Sequence, residues 1–140
     1  MKTHKFGSLD QDVAIIGQGT WNIESADRQD AVKSLADGLD LGMTHIDTAE
    51  MYGSGRAEEI VAEAIKGRRD KVFLVSKVLP SNASREGVIV ACEKSLKRLK
   101  TDRIDCHLMH WRGEQKLVDN IAACEKLISE RKLLLWGVRN

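Results

Sequence analysis

The segment Val72–Val78, VFLVSKV, is the least ambiguous predicted strand in the chain, and the fold class is assigned by working outward from it. It is a short run rich in valine and other apolar residues, a pattern typical of a β-strand. Pro80 follows it, and Ser84 is a suitable N-cap for the helix predicted next. A strand that leads directly into a helix is the repeating unit of parallel α/β sheets.

The same order of strand and helix is predicted on either side of this segment. The other predicted strands are Val13–Gly19, Thr44–Ala49, Ile104–His110 and Leu133–Val138. The predicted helices are marked by apolar residues at helical spacing: Val32, Leu35, Ala36 and Leu39 within Asp27–Leu41; Ala57, Ile60, Val61, Ala64 and Ile65 before Gly67; Val88, Ala91, Cys92, Leu96 and Leu99; and Leu117, Ile121, Cys124 and Ile128. This alternation favours a parallel sheet with right-handed crossovers, either an open doubly wound sheet or a barrel.

Polar residues at the strand ends favour the barrel. Asp47, Lys77, His110 and Asn140 end consecutive predicted strands at intervals of about 30 residues. In a barrel these ends meet at one rim, where barrel enzymes place their chemistry. An open sheet would show a glycine fingerprint after its first strand, and Gly17–Gly19 lacks the third glycine. We therefore predict an α/β fold with about five parallel strands and four helices, part of a (β/α)8 TIM barrel that this chain does not close.

The length indicates one domain, residues 1–140, and the composition is close to that of ordinary soluble enzymes. The chain has 22 basic and 21 acidic residues, which gives no indication of a nucleic-acid or membrane partner. No segment has the length and apolarity of a signal peptide or a membrane span, so we expect a cytoplasmic location. Three cysteines, an odd number without CxxC spacing, lie in apolar-periodic segments and are expected to be buried thiols in a reducing compartment.

The residues at the rim permit carbonyl reduction. Lys77 in an apolar setting needs a counter-charge, and Asp47 is the nearest candidate. Tyr52 is the only tyrosine, and a nearby ammonium lowers the pKa of a tyrosine from about 10 toward the range of a useful acid. His110 could donate a hydrogen bond to a carbonyl oxygen while Tyr52 protonates the oxyanion left by hydride addition. The hydride must come from a cofactor. Each residue alone also fits a structural role, and the combination carries the hypothesis.

Four motifs resemble those of the aldo-keto reductases, in the family's order and spacing. They are GQGTW at Gly17–Trp21, HIDTAEMYGSG at His45–Gly55, VSKV at Val75–Val78 and LMHW at Leu108–Trp111. The resemblance covers the chain from about Val13 onward, and four ordered motifs are far more specific than any one. The sequence looks most like those of the bacterial methylglyoxal-reducing members.

The resemblance implies a fold, a cofactor and a set of site residues. It implies NADPH as the hydride donor and small aldehydes or oxo-aldehydes as substrates, reduced to alcohols. The implied catalytic residues are Asp47, Tyr52, Lys77 and His110. The implied cofactor-binding residues are Gly19, Thr20, Trp21, Asp47 and Asn140, with Asn140 contacting the nicotinamide carboxamide. The implied substrate-binding residues are Trp21, Tyr52, His110 and Trp111. No metal site is implied.

Two departures from the family pattern create further expectations. Arg139 stands where the family has a small serine that helps to hold nicotinamide. Complete barrels run to about 250 residues, so we expect a truncated site with impaired activity and self-association through open sheet edges. A non-catalytic truncated homologue or assembly partner is the first alternative. A metal-dependent hydrolase that uses His45, Asp47 and His110 as ligands is the second.

Overall fold

A computed structural model describes residues 1–7 and 10–139. The strands are β1 (Thr3–Lys5), β2 (Asp12–Ala14), β3 (Gly17–Gly19), β4 (His45–Asp47), β5 (Phe73–Val78), β6 (Ile104–Met109) and β7 (Leu133–Val138). The helices are α1 (Arg28–Asp40), α2 (Arg56–Ala64), α3 (Arg85–Leu99) and α4 (Leu117–Ser129).

Strands β3 to β7 form one parallel sheet in which each strand pairs with the next in the chain. A helix follows each of the first four strands of this sheet, so the predicted α/β class with five parallel strands and four helices is confirmed. In the described part of the chain, β3 and β7 are the two edges of the sheet, and this part does not close a barrel.

The helix starts follow from capping side chains. The Asp27 carboxylate accepts hydrogen bonds from the backbone N–H groups of Gln29 and Asp30, at 2.9 and 3.1 Å. The Ser84 hydroxyl accepts one from the N–H of Gly87 at 3.0 Å, so the predicted N-cap of α3 is confirmed. These bonds satisfy donors that the first turn of a helix leaves free.

The prediction of one strand over Val13–Gly19 was wrong. Asp12–Ala14 pairs antiparallel with Thr3–Lys5, and only Gly17–Gly19 joins the parallel sheet. Between these two short strands, Ile15 and Ile16 are more than half exposed, because the chain bends there instead of continuing into the core.

The β1–β2 hairpin brings apolar residues under the sheet. Phe6 packs on Phe73, with ring centres 4.7 Å apart, and Val13 joins Phe73, Val75 and Cys106 in a small inner cluster. A larger cluster fills the space between the sheet and the four helices. Burial on both faces explains why the whole of β5 is inaccessible to solvent.

All three cysteines are buried and unpaired. Burial raises the pKa of the Cys92 and Cys124 thiols to about 12 and that of Cys106 to about 11. They therefore remain protonated, unreactive thiols at neutral pH, as the sequence pattern suggests. In the described residues, no helix has the length and apolar character that a membrane span requires.

Candidate active site

Lys77 is the centre of a polar cluster at the carboxyl end of the sheet. It is the next-to-last residue of β5 and is only 2% exposed. Its ammonium donates hydrogen bonds to Asp47 Oδ1, to the backbone oxygen of Thr48 at 2.8 Å and to Tyr52 Oη at 3.3 Å. An ammonium has three protons, so this one is fully bonded and can stay charged although it is buried.

Asp47 supplies the opposite charge from the neighbouring strand. It is the last residue of β4 and lies in register with Gly19 on one side and Val75 on the other. Its side chain is 37% exposed, whereas that of Lys77 is 3% exposed. The carboxylate is therefore the solvent-accessible member of this ion pair at the rim.

Tyr52 reaches the ammonium from the turn that follows β4. The residue is 9% exposed, and the Lys77 ammonium lies 4.9 Å from the centre of its ring. Because the phenol oxygen accepts a hydrogen bond from Lys77, the phenol hydrogen is directed elsewhere and can be donated to another group. The turn needs left-handed backbone at Gly53, Ser54 and Gly55, with φ of 56°, 55° and 94°.

His110 follows β6 directly and lies beside Tyr52. Its backbone N–H donates to the oxygen of Val78 at 3.0 Å, and the two ring centres of His110 and Tyr52 are 5.7 Å apart. Burial lowers the pKa of His110, the positive charges of Lys77 and Arg139 lower it further, and the Asp47 and Glu50 carboxylates oppose this. His110 is therefore uncharged at neutral pH and can act as a hydrogen-bond donor without being a strong acid.

The Nδ1 atom of His110 is buried and makes no hydrogen bond within residues 1–7 and 10–139. The ring packs edge-on against Trp111, with centres 4.9 Å apart. Ring packing and the backbone bond, not a side-chain hydrogen bond, hold this imidazole in place in the described part of the chain.

The remaining predicted site residues are placed less uniformly. Gly19 lies in register with Asp47. Thr20 is fully buried, and both its N–H and its hydroxyl donate hydrogen bonds to the backbone oxygen of Asp47, each at 3.1 Å. Trp111 is 46% exposed but contacts His110. Trp21 is 73% exposed, so its indole is not packed into the cluster. The prediction for Asn140 lies outside the described residues.

Sequence reasoning missed two glutamates near this cluster. Glu50 Oε1 accepts hydrogen bonds from the N–H of Leu79 at 2.7 Å and the side-chain amide of Asn82 at 3.0 Å, which ties the loop after β4 to the loop after β5. Glu58 is completely buried in α2. Glu58 could have been recognised from the sequence because it is a carboxylate at helical spacing from Val61 and Ile65, on the apolar face of that helix.

The alternative of a metal-dependent hydrolase gains no support from the geometry. The His45 ring packs against Phe6 and Phe73, at 6.1 and 5.7 Å between ring centres, and burial lowers its pKa. Asp47 is engaged by Lys77. In the part of the chain that the structure describes, no three His, Cys, Asp or Glu side chains are grouped as a metal site requires.

Comparison with known proteins agrees with this arrangement. Residues 15–140 match the sequence profile of the aldo/keto reductase family. Methylglyoxal reductase YeaE of Escherichia coli is 49% identical over 135 residues, which are 95% of this chain and 48% of that protein. The glyoxal reductase of Bacillus subtilis is 35% identical over 127 residues, 89% of this chain and 44% of that protein.

Solved structures give the same result for the fold. An aldo-keto reductase from Klebsiella pneumoniae in complex with NADPH superimposes with a TM-score of 0.89 at 50% identity, over 92% of this chain and 46% of that one. An aldo-keto reductase from Bacillus halodurans gives 0.92 at 30% identity, over 99% and 50%. The chain spans about half the length of the relatives that it matches. The profile match over nearly the whole sequence, together with these likenesses, shows that the chain belongs to the aldo/keto reductase family.

Proposed function

We propose that the cluster around Lys77 reduces the carbonyl group of aldehydes or oxo-aldehydes to an alcohol, with NADPH as the reductant. The observation that carries this proposal is the single ammonium of Lys77, bonded to both Asp47 and Tyr52, with the His110 ring beside the phenol. The likeness to a methylglyoxal reductase and to a structure with bound NADPH supports the substrate class and the cofactor.

The residues divide the work of the reaction. When bound, NADPH would supply the hydride for the carbonyl carbon. His110, held neutral by its surroundings, donates a hydrogen bond to the carbonyl oxygen and orients it. Tyr52 transfers its phenol proton to the same oxygen as negative charge develops there. Lys77 stabilises the phenolate that remains, and Asp47 keeps Lys77 charged and in place.

The rim residues fit a nicotinamide ring and its ribose. Within residues 1–7 and 10–139, a side chain added to Gly19 would meet no atom within 4 Å, so this part of the chain leaves space open beside Asp47. The Asp47 carboxylate is partly exposed and can accept a hydrogen bond from a hydroxyl group. We therefore assign Gly19 and Asp47 to the cofactor. The resemblance to the family also implies Thr20 and Asn140, and the fully buried Thr20 would act by holding the backbone of Asp47. Trp21 is assigned to the cofactor and the substrate, where its exposed indole can close over the rim.

Transfer of isotope tests the proposed reaction. The protein that carries this sequence is mixed with methylglyoxal and with NADPH deuterated at the transferable hydrogen. We expect oxidation of the cofactor and an alcohol with deuterium on the former carbonyl carbon. Quenching of tryptophan fluorescence by NADPH reports binding separately, because Trp111 packs beside His110. Cofactor that binds but transfers no deuterium would contradict the proposed chemistry.

A second candidate function is assembly through the edges of the sheet. Strand β7 is paired on one side only within the described residues, and its Leu134 and Val138 are 40% and 54% exposed. Unpaired strands with exposed apolar side chains favour pairing with another chain. We expect the 140-residue chain to sediment as a concentration-dependent oligomer. A monomer at all concentrations that binds no dye for apolar surfaces would contradict this candidate.

A further inference from the structure

A buried carboxylate lies behind Lys77, on the helix-facing side of strand β5. Glu58 of α2 has no exposed surface, and both of its oxygens are bonded. Oε1 accepts from the hydroxyl of Ser76 at 2.7 Å, and Oε2 accepts from Nε of Arg98 at 2.6 Å. Arg98 also donates to the hydroxyl of Ser95 at 3.1 Å. This set of four residues is called the Glu58–Arg98 clamp below.

The clamp reaches the turn that begins with Tyr52. The turn ends at Gly55, whose φ of 94° lies in the left-handed region. A side chain added to Gly55 would lie 2.5 Å from Cδ and 2.7 Å from Nε of Arg98. The stem of Arg98 therefore rests directly on the backbone that closes the Tyr52 turn, and only glycine allows this approach.

The clamp also reaches the strand that carries Lys77. Ser76 is the neighbour of Lys77 in β5, and alternate residues of a strand point to opposite faces. Ser76 bonds Glu58 on the helix side while Lys77 bonds Tyr52 on the inner side. One buried carboxylate is thus connected to the strand of the ammonium and, through Arg98, to the turn of the phenol.

We propose that Glu58 and Arg98 are positioning residues that fix the distance between Lys77 and Tyr52. The inference rests on the proposed function, in which the contact between Lys77 and Tyr52 allows Tyr52 to act as the proton donor. A buried ion pair contributes little stability compared with apolar residues of similar volume. The contacts on both sides of the Lys77–Tyr52 pair, which is 3.3 Å apart, give the clamp a positional role.

The only tyrosine of the chain allows a direct test without cofactor or substrate. Tyrosine labelled at the ring carbon that bears the hydroxyl gives one NMR signal, and its chemical shift at neutral pH reports the hydrogen bond from Lys77 to the phenol oxygen. In Lys77→Met this signal should move, because the bond is gone. In Glu58→Gln we expect it to move in the same direction by at least about half as much, because a hydrogen bond weakens as its length and angle depart from the favoured geometry.

Matched variants separate positioning from a general loss of stability. Glu63→Gln removes the charge from the exposed pair between Glu63 and Arg28, at 2.6 Å, on the same helix, and should leave the signal in place. Arg98→Lys keeps a cation beside Glu58 and should leave the signal close to its original position. Ser76→Ala removes one hydrogen bond to the Glu58 carboxylate and should give a small displacement, which covers the case in which Glu58→Gln fails to fold.

The outcomes distinguish the two proposals. A Lys77→Met signal at the position found in the unaltered chain would contradict the proposed function itself, because that function needs the contact between Lys77 and Tyr52. A shift in Lys77→Met with none in Glu58→Gln or Ser76→Ala, both folded, would overturn the clamp alone and leave the proposed function standing.

Discussion

Two ion pairs lie at opposite ends of the parallel strands, and they differ in how completely they are bonded. At the amino ends, Arg69 and Asp105 meet at 2.7 Å, with side chains 15% and 5% exposed. Arg69 also donates to the Thr101 hydroxyl and to two backbone oxygens, and Asp105 accepts from the N–H of Leu74. At the carboxyl ends, Lys77 meets an Asp47 that is 37% exposed.

We infer that the ion pair at the amino ends contributes stability and that the one at the carboxyl ends serves the proposed reaction. The bonds of Arg69 and Asp105 are directed inward, between the strands and the turns that precede them. At the other end, within residues 1–7 and 10–139, the phenol hydrogen of Tyr52 and the Nδ1 atom of His110 have no partner and can bond a further group. Barrel enzymes generally place their reacting groups at the carboxyl ends of the strands.

Removal of Lys77 should have the largest effect on activity. We expect Lys77→Met to lower kcat/KM for methylglyoxal on the order of 10³-fold, since Tyr52, the proposed proton donor, loses the charge that would stabilise its phenolate. The free energy of unfolding should fall by only about 1 kcal/mol, because Asp47 can be hydrated at the rim. Initial rates and urea unfolding measure the two quantities. A large loss of stability with normal turnover would mean that the Lys77–Asp47 pair serves stability and not the reaction.

Removal of Arg69 should have the opposite pattern. Arg69→Met leaves the buried carboxylate of Asp105 without its cation, so the free energy of unfolding should fall by about 3 kcal/mol. Turnover per folded molecule should stay within about 2-fold of the original, because the bonds of Arg69 within the described residues all lie at the amino ends of the strands. Arg68→Met, which breaks a pair with the 70% exposed Asp40, is the control and should cost less than about 1 kcal/mol.

The two regions also differ in how well the sequence predicts them. Strand ends recur at regular intervals, so the period alone places Asp47, Lys77 and His110 at one rim. The β1–β2 hairpin was not predicted, because strands of three residues carry too little periodicity. The partners of Glu58 come from α3 and β5, and sequence spacing does not indicate such contacts between distant segments.

His107 lies in strand β6, whereas His110 follows the strand, and His107 should make stability depend on pH. Both ring nitrogens of His107 are buried without partners in the described residues, and burial lowers its pKa to about 4. The unfolded chain, with a histidine pKa near 6.5, therefore binds a proton before the native state does. Stability from this residue is complete above about pH 6.5 and is lost as the pH falls toward 4, by about 3 kcal/mol.

Urea unfolding between pH 7 and 4 tests this effect. His107→Leu should flatten the decline, and His4→Leu, which alters an exposed histidine, should not. His45 and His110 also have lowered pKa values, so part of the decline should remain in the His107 variant. Equal slopes in the two variants would contradict the assignment to His107.

The smallest expected effect concerns the charge that Arg139 adds near His110. Lys77 and Arg139 both lower the pKa of His110, and Lys77 has the larger influence. NMR titration should therefore show a higher His110 pKa in Arg139→Ser and a still higher one in Lys77→Met. Arg68→Ser, at the other end of the sheet, should leave it unchanged. The reverse order of the first two variants would mean that Arg139 lies closer to the imidazole than Lys77 does.

Single-turnover reduction by Tyr52→Phe tests whether this phenol donates the proton, with NADPH already bound and binding verified by tryptophan quenching. The variant loses the proposed proton donor and keeps the ring that packs against His110. We predict unchanged NADPH affinity and a rate of methylglyoxal reduction lower by about 10²-fold or more. A rate within a few-fold of the original would show that Tyr52 is not the proton donor.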